Sequence, residues 1–421
     1  MLMFALKSNV MFYGKRMLML KTAGPGTQAA KYLLSSWDYE FANDGMAGHT
    51  YNLDEALQES CILGDVDSAT KLIAKGANID APDFEGKTPL MLALFFEHPK
   101  CALALLDAGC DVYPQERVFG NRALSYALNG EVTPEVIQVI ERMLPGAAQR
   151  YDDQLFGYTP LHGLTHLIGD EGLLQHAFNL LLDSGQDIDA GDDEGETPIN
   201  KAVSQDNLAV FNLFYAAGAC MTSVTRHGVG ILHRAGNFAG RELLDRLGQV
   251  NLSMDIDLKS STDNASARDI FRYCHLYANW PDFPSDWQKR SDEDAVVFEK
   301  LLRTVRDRYL DSEIEKLLSV IRLLESGDVS KNLLEIDRFF DELTAEKKKY
   351  GKEQELETFR IIRDLQIRQG MVDASVEALR EIVEVHRETM AESPFSKPSI
   401  YDHPRPEDGE DEGTSMEGDA D

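Results

Sequence analysis

Positive charge is scarce in this sequence: 42 lysines and arginines stand against 72 aspartates and glutamates, for a formal net charge of −30. A polyanion repels phosphate backbones, because nucleic-acid binding needs cationic contacts and counterion release. Nucleic acid is therefore not an expected partner, and the favoured electrostatic complement is a protein with a basic surface. Cysteine is scarce too. Cys61, Cys101, Cys110, Cys220 and Cys274 are odd in number, far apart and without a C-x-x-C pair. That excludes a disulfide framework or a cysteine zinc site and points to a reducing compartment. No uninterrupted apolar run reaches the roughly 20 residues needed to span a bilayer.

Catalytic signatures are missing as well. There is no G-x-S-x-G elbow, no Walker sequence and no Rossmann glycine fingerprint. Gly24-Pro25-Gly26-Thr27 lacks the lysine that would reach a phosphate and reads as a flexible turn. His162 and His166 stand four apart, yet Gly163 and Leu164 replace the glutamate of H-E-x-x-H. No catalytic, cofactor-binding or metal-ligating residue is assigned, and the chain is expected not to be an enzyme.

Acids are absent from Met1 to Trp37, where Lys7, Lys15, Arg16, Lys21 and Lys31 lie among Met, Leu and Phe. Such a basic, acid-poor stretch matches a mitochondrial transit peptide in composition. Its low arginine content favours a poorly ordered extension over residues 1–50, or a start site placed too far upstream.

What the chain does have is self-similarity, the sign of a repeat architecture. Gly76-Ala77-Asn78-Ile79-Asp80-Ala81 returns at Gly109-Cys110-Asp111-Val112-Tyr113 and Gly185-Gln186-Asp187-Ile188-Asp189-Ala190, and weakly at Gly218-Ala219-Cys220-Met221. In phase run Gly86-Lys87-Thr88-Pro89-Leu90, Gly157-Tyr158-Thr159-Pro160-Leu161-His162 and Gly195-Glu196-Thr197-Pro198-Ile199. Decayed copies lie at Gly120 to Leu124 and Gly228 to His233. Proline suits the first turn of a helix, and the threonine before it can cap that start. Glycine after Leu-Leu-x-x closes a second helix in the left-handed region. Each unit is thus a turn and two short antiparallel helices that must stack to bury their apolar faces.

With Thr159-Pro160-Leu161-His162 and a step of 33 residues, both from Gly76 to Gly109 and from Gly185 to Gly218, the segment 53–277 resembles the ankyrin-repeat family. The resemblance implies an all-α solenoid of about six units. The middle units are lengthened, with the insertion near Gly169-Asp170-Glu171-Gly172, and the ends are eroded. It also gives His162 a structural role, bonding to neighbouring turns.

Beyond the repeats, residues 278–290 form a connector rich in proline and aromatics, with Trp280, Phe283 and Trp287 expected to pack on the last repeat. Residues 291–391 read as a helical domain, a small bundle or helical-hairpin array. Ser291 caps a stripe of Phe298, Leu301, Leu302 and Val305, and Gly327 and Gly370 are helix stops. Lys347-Lys348-Lys349 with Lys352 reads as a solvated helix end, or as a nuclear address. From Glu392 to Asp421 the chain is expected to be an unstructured acidic tail.

The family resemblance places partner contacts at turn tips and first-helix surfaces. On this sequence the tips are Asp83, Phe84 and Glu85, then Asp192, Asp193 and Glu194, then Arg226 and His227. The helix positions are Phe95, Phe96, His166, Lys201, Gln205 and Arg234. The expected function is a cytoplasmic scaffold or adaptor that binds a protein. The alternative is an enzyme or regulatory subunit with its activity in 291–391; titratable residues converging in a pocket there would favour it.

Overall fold

The computed structural model describes residues 53–144, 157–277, 287–327 and 329–401. The N-terminal stretch read as an extension or targeting segment lies outside them, as do Trp280, Phe283 and the acidic residues from Asp402. The described residues fall into two compact units. One runs to Ala202 and includes Ala209–Ala219; the other comprises Val203–Leu208 and the residues from Cys220 onward. The division falls inside a repeat rather than at 278–290.

In the first unit the helices come in pairs: α1 (Leu53–Leu63) with α2 (Val66–Ala74), and α3 (Pro89–Phe95) with α4 (Pro99–Asp107). They continue as α5 (Ala123–Ala127) with α6 (Pro134–Met143), and α7 (Pro160–Leu164) with α8 (Glu171–Asp183). The caps are those the sequence offers. The Thr88 hydroxyl accepts from Met91 N at 3.4 Å, Thr133 from Val136 N at 3.2 Å, and Asp170 from Leu173 N at 3.0 Å. First helices pack on first helices (α1 on α3, α3 on α5, α5 on α7), and second helices on second (α2 on α4, α4 on α6, α6 on α8). Leu90, Leu105, Leu124, Ile140, Leu161 and Leu181 close the interfaces. Removing one such leucine to Ala would cost about 2–5 kcal/mol.

The lengthened middle has a definite structure. After α5 the chain forms strand β1 (Gly130–Val132), and after α7 strand β2 (Leu167–Gly169). The two pair in parallel, Gly130 opposite Leu167 and Val132 opposite Gly169. The extra residues therefore make a backbone ladder between adjacent repeats, where α3 and α4 have only Phe96–His98 between them.

The fifth pair, α9 (Pro198–Ser204) and α10 (Leu208–Ala216), straddles the division between units. In the second unit α11 (Ile231–Asn237) pairs with α12 (Arg241–Gln249), and α13 (Ala267–Leu276) is followed by α14 (Asp292–Glu325). Again α11 packs on α13 and α12 on α14. The long helix capped by Ser291 thus begins as the second helix of a seventh pair, and only then continues into the C-terminal helices. Those are α15 (Val329–Lys349), α16 (Glu353–Arg360), which runs on as a π-helical stretch Ile361–Ile367, and α17 (Val372–Ala391). Their shared core contains Leu317, Ile321, Phe340, Phe359, Leu379 and Val383.

Two expectations change here. Residues 392–401 are not an unstructured tail. Phe395 packs against Phe271 and Phe298, with ring centroids at 6.2 and 6.5 Å, and Tyr401 against Tyr273 at 5.1 Å. Their apolar side chains find a place on α13 that an acid-rich composition does not reveal. The second change concerns the lysine knot: Lys347 is 3% exposed, because its ammonium meets a fully buried carboxylate on α14, Glu313.

Within 278–290 the described end packs on the repeats, with Trp287 edge-on to Phe238 and Tyr273. Three residues on, Arg290 is buried and finishes α11. Its Nη1 donates to Ala239 O at 2.6 Å, its Nη2 to Ala235 O at 2.7 Å and Gly236 O at 3.0 Å, and its Nε to Gly236 O at 3.2 Å. A guanidinium satisfies this set of helix-end carbonyls in one plane; an ammonium on a narrower stem cannot. Arg290→Lys is expected to lower unfolding free energy by roughly 2–4 kcal/mol in urea titrations. A loss below about 0.5 kcal/mol, the level of ordinary surface substitutions, would mean these bonds contribute nothing net.

Candidate functional site

The turn tips are built on one recurrent backbone device. Asp83 N–H donates to Lys87 O at 2.9 Å while its Oδ1 accepts from Glu85 N at 2.9 Å and Lys87 N at 2.8 Å. Asp192 repeats this with Glu196 O, Glu194 N and Glu196 N at 2.9, 2.9 and 2.8 Å. Thr225 does it with a hydroxyl, and Glu116 with both carboxylate oxygens. Adjacent tips are then tied by a backbone bond, Arg117 N to Glu85 O at 2.7 Å and Ser261 N to His227 O at 2.8 Å. The glycines of this register lie hard against the next tip. A Cβ on Gly157 (φ +67°) would meet Asp193 N at 2.9 Å, and one on Gly228 (φ +72°) Lys259 O at 3.0 Å.

This sorts the candidate partner residues. Asp83 and Asp192 hold their turns, and the Glu85 carboxylate is paired with Lys87. Phe84 is exposed at 56%, Asp193 is exposed and Glu194 half-buried. Arg226 is exposed, and its Nε donates to half-buried His227 at 3.3 Å. Phe96 is only 8% exposed and is withdrawn from the surface; it ends α3 pointing into the core. Phe95 is half-buried, edge-on to Phe96 and to Tyr126 at 5.1 and 5.8 Å. Lys201 is half-buried, its Nζ 3.1 Å from Tyr158 Oη and over that ring. Gln205 is exposed and Arg234 half-buried. His166 is exposed and lines a hollow of about 200 Å³ with Tyr126, Tyr158 and His162.

Sequence reading missed Val118 and Phe119, exposed at 38% and 58% on the tip next to that of Phe84. Glu116 closes a turn one residue longer than Asp83 does, which shifts Phe119 out of phase with Phe84.

His162 is occupied structurally. Its Nδ1 accepts from Thr159 N at 3.1 Å, so the proton sits on Nε2, which donates to Glu196 O of the following turn at 2.8 Å. Burial lowers its pKa. Among the described residues no group of three His, Cys, Asp or Glu side chains could hold a metal. His233 occupies the same register in the decayed copy, and burial pushes its pKa down to about 4. A histidine held neutral in the fold stabilises it above its unfolded pKa of about 6.5, and this is lost as pH falls towards 4. Between pH 7 and 5 the His233 contribution should fall by about 2 kcal/mol. Urea titrations at both pH values should show that difference in the parent protein and less of it in His233→Gln; an equal pH dependence in both would contradict the assignment.

The second unit holds a cavity of about 630 Å³. Its lining comes from the loop Asp255–Asp257, from α14 to α17 and from residues 392–397. Behind two of its lining residues, Lys347 and His386, the fully buried Glu313 receives Lys347 Nζ at 2.7 Å and lies 2.9 Å from His386 Nε2. Burial alone would raise the Glu313 pKa, but His386 and Lys347 hold it below the ordinary value. Burial and the carboxylates of Glu313, Asp255 and Glu346 push the Tyr309 hydroxyl well up. Lys347→Met would strand Glu313 and cost about 3–5 kcal/mol, whereas adding Glu313→Leu should restore most of it. Urea titration of the single and double variants checks this; a double variant no more stable than Lys347→Met would show that the pair is not the source of the loss.

Comparison with known proteins agrees with the fold. A family model of ankyrin repeats, three copies, matches residues 17–116. The match begins ahead of Leu53 and takes in part of the stretch set aside as an extension. The chain is similar to the ankyrin repeat protein YahD of Escherichia coli K12, 26% identical over 186 residues, 37% of this chain and 92% of that one. It is also similar to the potassium channel AKT2/3 of Arabidopsis thaliana, 27% identical over 154 residues, spanning 35% of this chain and 17% of the channel. Among solved structures, the ankyrin repeat domain of Bcl-3, described as a unique member of the IkappaB protein family, aligns with 52% of this chain and 96% of its own. The TM-score is 0.38 and the identity 23%. The chain thus carries ankyrin repeats, its described residues are mostly helical, and such repeats generally mediate protein–protein interaction. Among the described residues no helix is long and apolar enough to cross a membrane.

Proposed function

We propose that the chain is a cytoplasmic adaptor that binds a protein partner with a basic surface through the tips of its second and third repeats. The observation that carries this reading is the pair of neighbouring tips holding Phe84, Val118 and Phe119 outward, locked together by the Arg117–Glu85 backbone bond. Large apolar side chains on a rigid backbone lose little entropy on binding, and clustered exposure of this kind marks contact surfaces. Around them, Asp193 and Glu194 on a further tip and the chain's surplus of acids favour a cationic partner over nucleic acid. His166, Lys201 and Gln205, on or just beyond the first helices, would extend the contact, with Arg226, His227 and Arg234 further along.

Affinity capture with the full chain should recover a partner that Phe84→Ser/Phe119→Ser loses by tenfold or more, with thermal melting unchanged, as expected for hot-spot side chains worth at least about 1.4 kcal/mol together. Asp193→Lys should weaken capture further at low salt and matter less at high salt. Undiminished capture by the Phe84/Phe119 variant would place the contact elsewhere. The alternative, a regulatory or enzymatic subunit with its activity in the C-terminal helices, is favoured by the titratable groups gathered around the 630 Å³ cavity.

A further inference from the structure

The cavity in the second unit has two chemically distinct parts. One wall is apolar, formed by Phe359, Ile361 and Ile362 at the junction of α16 with the π-helical stretch and by Ile382 and Val385 of α17. Ile361 is 39% and Val385 52% exposed, which is high for large aliphatic side chains facing a hollow. Here α16 runs on as the π-helical stretch Ile361–Ile367, which interrupts the regular helical step at these side chains. A volume of 630 Å³ is within the range of about 300–1,000 Å³ that accepts a small organic molecule.

The other part is charged and organised around two lysines. Lys347 Nζ lies 2.7 Å from Glu313 and 2.6 Å from Glu355; Lys352 Nζ lies 2.7 Å from Asp255 and 4.0 Å from Glu355. Glu313 and Asp255 are buried, so those pairings are fixed. Glu355 is different. Its side chain is 43% exposed and sits between both ammonium groups, so a change of rotamer can turn it to water. Tyr309, 7% exposed, also lines the cavity.

We propose that this cavity binds an amphipathic monocarboxylic acid, whose carboxylate takes the place of the Glu355 carboxylate between Lys347 and Lys352 while its hydrocarbon body lies on the Ile361, Ile382 and Val385 wall. The charge balance selects the head group. Glu313, Lys347, Glu355, Lys352 and Asp255 together carry one net negative charge. Exchanging one carboxylate for another preserves that balance at the two ammonium groups. A cationic head group would face two ammonium groups, and a neutral alcohol could not replace the ion pairs that Glu355 gives up.

Calorimetric titration of the full chain with decanoate, decanol and decylamine tests the assignment. Decanoate is expected to bind, and the other two to bind at least tenfold more weakly. Lys352→Met should weaken decanoate about tenfold or more, in line with loss of one charge-assisted contact. Ile382→Trp, which fills the apolar part, should abolish binding. Glu355→Gln should tighten it several-fold, since it removes the internal competitor; a merely structural Glu355 would not do so. The proposal is overturned if decanoate does not bind, if decanol or decylamine binds as tightly, or if Glu355→Gln weakens decanoate while the variant melts as the parent does.

Discussion

No described helix pair of the repeats can bury its own apolar surface, so each depends on a neighbour and the last one needs something else. Leu90, Leu124 and Leu161, on successive first helices, are buried only because the next repeat is present. In the second unit the problem of the last pair is solved by the chain itself. Phe271 of α13 stacks on Phe298 of α14 at 4.3 Å, and Phe395, far along the sequence, closes over both. Arg290 binds the carbonyls that end α11 and lies 5.2 Å from the Phe271 ring, so helix capping and core packing meet at one place. A terminal repeat with a polar outer face would have been the simpler solution. Here the second helix of the last pair is lengthened to 34 residues, and its far half becomes the foundation of a different core.

The parts of the fold written in local chemistry were legible in the sequence. Thr88-Pro89 and Thr159-Pro160 specify helix starts through a fixed φ and an oxygen at the cap, and these need no knowledge of the rest of the molecule. His162 was legible as a structural residue for the same reason. What stayed hidden depends on partners distant in sequence. Ser291 announces a helix but not that its first half would pack on α12. The extra residues near Gly130 and Gly169 show as irregular spacing, but that two insertions in consecutive repeats pair as strands is a tertiary fact. Phe95 and Phe96 differ by one position at a helix end, where helical periodicity no longer says which side faces inward. Lys347, Lys348 and Lys349 look alike in sequence; only the buried acid on α14 separates the first from the others.

That buried acid shows how the C-terminal helices hold a single arrangement. Glu313 on α14, Lys347 on α15 and His386 on α17 meet at distances of 2.7 to 2.9 Å. The desolvation cost of such a group offsets much of its attraction, so it adds little net stability over an apolar trio. Its effect is on register. Aliphatic side chains such as Leu317, Leu343 and Leu379 tolerate a small slide of one helix along another, whereas a carboxylate, an ammonium and an imidazole in mutual contact have one placement in which none is stranded. The helices whose register is fixed in this way, α14, α15 and α17, also line the 630 Å³ cavity.

The short ladder between β1 and β2 bears on mechanics. A stack of helix pairs bends because side-chain interfaces roll and slip by small amounts, and the compliance of the whole is the sum of those joints. Where Gly130–Val132 and Leu167–Gly169 are bonded backbone to backbone, one joint is stitched by directional bonds that resist shear. The third and fourth repeats therefore behave as one stiff segment in the first unit. Elastic strain imposed on that unit, whether by a bound protein or by tension, will concentrate at the joints on either side.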